Sequence, residues 1–156
     1  MYQVSSRVLA EQPALVMGAK LAVADIPAFL GKAYAAVAKQ STRSGLVFAG
    51  PPFARYRALD DEYAQFEVEA GFPVDRPADV TGEVESSILP GGTAAVVVHI
   101  GPYDQMKPAY EAIEAWVAGQ NGVLDGAPWE VYYSDPTEQP DPSTWRTEIV
   151  QPYKVL

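Results

Sequence analysis

GPPFARY, residues 50–56, returns as GAPWEVY at residues 126–132. Both stretches run Gly, a small residue or Pro, Pro, a large aromatic, two variable residues and Tyr. The offset from residue 50 to residue 126 is 76, and it holds beyond the motif. Ala33-Tyr34 falls on Ala109-Tyr110, Ala36 on Ala112, Val37 on Ile113 and Val47 on Val123, with no gap between these anchors. A register shared over such a length marks an internal repeat, and it sets the fold class before any single element is assigned.

Each copy reads the same way. In the first, SRVLAEQ (6–12) and PALVMGAKLAV (13–23) are β-branched, apolar and punctuated by turn residues, the pattern of strands. A helix is predicted over Ile26–Gln40, with Asp25 as N-cap, Pro27 in the first turn, and an apolar stripe of Phe29, Leu30, Ala33, Tyr34 and Val37. GLVFAGPPFARYR (45–57) and YAQFEVEAGF (63–72) then read as strands around the turn ALDDE. In the second copy the strands are TGEVESSIL (81–89) and TAAVVVHI (93–100), then a helix from about Pro102 to Gln120, then WEVYYS (129–134) and TWRTEIV (144–150). Pro136, Pro140 and Pro142 keep the loop 135–143 irregular.

The order is therefore β-β-α-β-β, twice, an α+β chain. Repeat one covers about 1–76 and repeat two about 77–156, with a Pro- and Asp-rich linker at PVDRPADV (73–80). Neither half has enough sheet to stand alone. A pseudo-twofold relation would set two helices on one side of a joined antiparallel sheet and open a ligand cleft where the halves meet.

Composition narrows the function. A hydrophobic content of 48% over 156 residues suits one packed domain. The absence of cysteine excludes disulfides and thiol chemistry, and a lone histidine, His99, argues against zinc. No nucleotide-binding glycine motif is present, and no cofactor is expected. The formal net charge of −9 disfavours nucleic acid and anionic membranes and suits a cationic or neutral small molecule, or a basic protein patch. No apolar run spans a bilayer and the first residues lack a signal-peptide pattern, so a cytoplasmic location is expected.

Alternation along a strand places Glu130, Tyr132 and Ser134 on one face of WEVYYS, and Trp129, Val131 and Tyr133 on the other. The repeat mates of Glu130 and Tyr132 are Ala54 and Tyr56. The second copy thus carries a carboxylate that the first lacks. Tyrosines beside one acid suit a cationic aromatic ligand. The alternative is an exposed strand Glu beside a core Trp. Glu148, matched by Glu69 if the second hairpin loop is three residues longer, reads as structural, tying a strand end or pairing with Arg. Tyr103, in HIGPY, reads either as a site-rim residue or as a staple on the sheet. His99 reads as an ordinary strand residue, and no Ser-His set is visible.

At GPPFARY, FEVEAGFPV, HIGPYD, APWEVYYSDP and WRTEI the sequence resembles the GyrI-like effector-binding domain family. That module lies at the C-terminus of AraC- and MerR-type multidrug-responsive regulators and also occurs free-standing. The resemblance runs from about Val4 to Tyr153. It implies two βαββ-type repeats and a cleft for amphipathic, often cationic, compounds. It places the acid of an E-x-Tyr pattern at Glu130, with Tyr56, Tyr103, Tyr132 and Trp145 as ligand-binding aromatics. The chain leaves no room for a helix-turn-helix, so a free-standing member that does not itself bind DNA is expected. Some relatives act on DNA gyrase, and others resemble hydrolases of strained cyclopropane natural products. Three functions follow: small-molecule binding, hydrolysis with Glu130 as the catalytic acid or base, or modulation of a protein partner.

Overall fold

The computed structural model describes residues 2–135 and 137–156; Pro136 lies outside the described residues. In chain order the elements are β1 (Ser5–Leu9), β2 (Gln12–Ala22), α1 (Ile26–Arg43), β3 (Phe53–Ala58), β4 (Gln65–Pro73), β5 (Glu85–Leu89), β6 (Gly92–Ile100), α2 (Lys107–Gly119), β7 (Gly122–Leu124), β8 (Trp129–Tyr132) and β9 (Arg146–Val155). β2 pairs antiparallel with β4 and β5, β3 with β4, β1 with β6, and β9 with β6, β7 and β8. The chain is α+β.

Two compact units divide the chain, one of residues 11–90 and one of residues 1–10 with 91–156. The first has strand order β3-β4-β2-β5 and carries α1 against β2 and β4. The second has order β1-β6-β9-β8, with β7 on the far end of β9, and carries α2 against β6 and β9. Each unit contains a βαββ core, β2-α1-β3-β4 in one and β6-α2-β8-β9 in the other, where β7 is inserted between α2 and β8. The division expected near residue 76 shifts because the leading strand of each repeat pairs elsewhere. β1 pairs with β6 (Ser5 opposite Val96) and β5 with β2 (Glu85 opposite Val16). Hydrophobic period assigns a strand but not its partner, and here the partner is distant in sequence.

Helix α1 buries Phe29, Ala33, Val37 and Ser41, one face at four-residue spacing. Asp25 occupies its N-cap position but makes no side-chain capping bond. A 3-10 turn over Val23–Asp25 brings the chain in already helical, at φ −91° and ψ −6°, whereas a capping side chain needs extended backbone. Helix α2 begins at Lys107 and not near Pro102. Pro102 is extended at φ −61° and ψ 151°, and a 3-10 turn over Tyr103–Gln105 intervenes. Its buried stripe, Ala109, Ile113 and Val117, packs with Met106 on Ala95 and Val97 of β6 and Ile149 and Tyr153 of β9. No helix among the described residues is long and apolar enough to cross a membrane.

The face of the second unit's sheet turned from α2 carries an ion pair. Arg7 Nη1 donates to Glu148 Oε1 at 3.1 Å, and Glu148 exposes only 9% of its side chain. Nearby, the Arg146 guanidinium lies 4.7 Å from the Tyr133 ring centre. Glu148 therefore meets an arginine, the structural role read for it. Arg7→Ala strands a buried carboxylate. Because Arg7 itself is half exposed, the expected loss is about 1–2 kcal/mol, less than for a fully buried pair. Urea unfolding at neutral pH measures it, and adding Glu148→Gln should return part of the loss. A double variant as weak as the single one would mean that Arg7 acts through packing, not charge.

Candidate functional site

Strand register builds the site. On the α2 face of the sheet, Val97, Ile149 and Glu130 form one cross-strand row, and His99, Thr147 and Tyr132 form the next. Glu130 is 7% exposed. Tyr110, next to Ala109 on the buried stripe of α2, donates its hydroxyl to Glu130 Oε2. The Tyr132 hydroxyl donates to Oε1 at 2.7 Å, so Glu130 and Tyr132 share a face. Among the described residues no ion pair includes Glu130.

Burial pushes the Glu130 carboxyl above its ordinary value. The hydroxyls of Tyr110 and Tyr132, and then His99, pull it back, and burial prevails. The carboxyl is thus held by donors suited to its anion in surroundings that penalise the charge.

Aromatic rings extend outward from it. Tyr103, in the 3-10 turn before α2, packs edge-on against Tyr132 at 5.5 Å between centroids and stacks on Trp145 at 4.7 Å. The Trp145 indole is fixed by a 2.6 Å bond from Nε1 to the Gln139 carbonyl. Tyr103 remains 38% exposed, so an aromatic surface faces solvent next to a buried acid. Burial raises the Tyr103 hydroxyl, with Glu130 and Asp135 adding to the shift. Of the residues singled out from sequence, Glu130, Tyr132, Tyr103 and Trp145 come together in this chain of contacts. Tyr56 stands in β3 of the other unit, edge-on to Phe66 at 6.1 Å.

Tyr110 was not singled out as a site residue. The repeat register held a signal, because it aligned Tyr110 with Tyr34. In the first unit Ala54 replaces the acid, and the Tyr34 hydroxyl donates instead to the Phe53 carbonyl at 3.0 Å. His99 is more than an ordinary strand residue. It is buried, with Nε2 2.9 Å from the Pro102 carbonyl and Nδ1 2.8 Å from the Tyr2 hydroxyl. A carbonyl only accepts, so Nε2 carries the hydrogen, and in the neutral ring Nδ1 accepts from Tyr2. Among the described residues no group of three or more His, Asp or Glu is placed to hold a metal.

Comparison with solved structures supports the fold. The chain superposes on the EcmrR C-terminal domain with TM-score 0.87 and 21% identity, covering 100% of this chain and 99% of that one. Against EcmrR in a DNA complex the TM-score is 0.85 with 23% identity, and 99% of this chain spans 58% of that one. SAV2435, solved bound to tetraphenylphosphonium, gives 0.65 with 16% identity over 97% of this chain and 94% of that one. A hydrolase from Listeria innocua gives 0.66 with 14% identity over 97% and 92%. No curated protein matches the chain by sequence. The model of the GyrI-like small molecule binding domain matches residues 2–154. The chain belongs to the GyrI-like family of small-molecule-binding domains.

Proposed function

We propose that the Glu130 cluster binds an organic cation with an aromatic body. Glu130 supplies the countercharge, and the Tyr103 and Trp145 rings supply a stacking surface. The observation that carries this reading is a buried carboxyl with two tyrosine donors and, among the described residues, no ion-pair partner. A charge so placed is costly until a cation meets it. The flanking rings attract cations through their faces. The net charge of −9 favours cation encounter, and SAV2435, which shares the fold, was solved with a lipophilic cation.

The test pairs tetraphenylphosphonium with the neutral triphenylphosphine oxide, titrated calorimetrically into the parent and Glu130→Gln. The substitution is expected to weaken the cation roughly 30-fold, about 2 kcal/mol, and the neutral compound about twofold or less. Equal losses for both would remove the countercharge role.

A hydrolytic reading shares the cluster. A carboxyl raised by burial is suited to general acid work, and one structural neighbour is described as a hydrolase. Consumption of a cyclopropane electrophile by the parent but not by Glu130→Gln, without cation binding, would favour it. A complex with a basic protein partner that survives saturation of the cluster would favour partner modulation instead.

A further inference from the structure

The Thr147 hydroxyl has no hydrogen-bond partner among the described residues, and the side chain is 0% exposed. It stands on the α2 face, directly across from Tyr132 and one row from Glu130. Diagonal neighbours in such a ladder lie about 7–8 Å apart, within reach of one bridging headgroup.

The repeat supplies an internal control. The row Val97, Ile149, Glu130 corresponds by register to Met17, Ala70, Ala54 in the first unit. The row His99, Thr147, Tyr132 corresponds to Ala19, Val68, Tyr56. The same βαββ framework closes with Val at the threonine position, and Val68 is likewise 0% exposed. Valine matches threonine in shape and lacks only the hydroxyl. The fold therefore does not need the Thr147 hydroxyl, and burying it unpaired works against stability. The polar substitutions fall together: acid for Ala54, hydroxyl for Val68, imidazole for Ala19.

Resting on the cation-binding reading above, we propose that Thr147 is a specificity-determining residue. Its hydroxyl takes a hydrogen bond from the ligand, so the preferred cation carries an N–H: a protonated amine or amidine, not a quaternary ammonium or a phosphonium. An ammonium has three donors. One meets Glu130, whose oxygens keep lone pairs after accepting from Tyr110 and Tyr132, and a second meets Thr147. A quaternary head satisfies the charge but leaves the hydroxyl orphaned.

The probes are biphenyl-4-ylmethylammonium and its N,N,N-trimethyl analogue. Calorimetry on the parent, Thr147→Val, Thr147→Ser and Glu130→Gln reads the ratio of the two affinities. The parent is expected to prefer the N–H cation by about tenfold or more, as for one added charge-assisted hydrogen bond. Thr147→Val should abolish that preference while raising the melting temperature, and Thr147→Ser should restore it. An unmoved ratio in Thr147→Val, with Glu130→Gln weakening both cations, overturns this inference and leaves cation binding standing. If Glu130→Gln weakens neither cation, the countercharge reading of the Glu130 cluster itself falls.

Discussion

Gly71→Ala is expected to remove a large share of the protein's stability and lower its melting temperature by well over ten degrees. Gly71 sits in β4 between Val16 and Phe53 in the ladder. A Cβ there would lie 1.8 Å from the Leu15 carbonyl oxygen, 2.8 Å from its carbon and 2.9 Å from the Val16 Cα. All three are backbone atoms of the neighbouring strand, so no side chain can rotate away. Either β2 separates from β4 or the register changes, and both disrupt the centre of the first unit's sheet. The expected loss is at least about 3 kcal/mol, a large share of the roughly 5–15 kcal/mol that holds a domain folded. Gly31→Ala is the control. Gly31 lies in α1 with nothing within 4 Å of its would-be Cβ, and alanine there should be neutral or add up to about 1 kcal/mol. Thermal melts of the two variants against the parent decide the matter. If Gly71→Ala melts within a few degrees of Gly31→Ala, the strands do not approach as closely as described.

The second large effect is a pair of opposed pH dependences. Burial, the leading cause, raises Glu130 above its ordinary 4.5 in the folded state. Between 4.5 and the folded value the native protein therefore holds more proton than the unfolded chain, and the contribution of Glu130 to stability falls as pH rises through that window. The proposed cation binding should run the other way. It needs the anion, so affinity climbs with pH, by up to about tenfold per unit below the folded value, and levels off above it. Calorimetry in buffers of different ionisation enthalpy should register proton release on binding within the window. Glu130→Gln should flatten the affinity profile and remove its share of the stability slope. A parent and variant with the same slopes would place the linked proton on another group.

The alternating face of WEVYYS made Glu130 and Tyr132 legible together, since a period of two needs no tertiary information. The repeat register likewise made the two βαββ cores legible, because Pro, Gly and aromatic landmarks recur at one offset. Tyr110 was readable only as a helix residue, since its bond to Glu130 depends on how α2 lies across β8. Alternation along WRTEIV puts Thr147 on the strand face opposite Glu148. That its hydroxyl lacks a partner is a property of packing, not of sequence. The short β7 leaves no mark in the sequence because Gly-Val-Leu carries too few residues to show a period, and its pairing with Tyr153–Val155 is non-local.

The exchange of leading strands bears on how the chain is made. Residues 11–90 form a contiguous unit, so all of its strands are made before residue 91. The other unit is discontinuous, because β1 waits for β6, whose first residue opposite it is Gly92. At roughly 5–20 residues per second, Leu9 and Gly92 are synthesised on the order of 4 to 17 seconds apart. During that interval the exposed Val8 strand has no ladder to join, and a chaperone or a neighbouring nascent chain can meet it first. The unit that carries Glu130 is thus the one completed last.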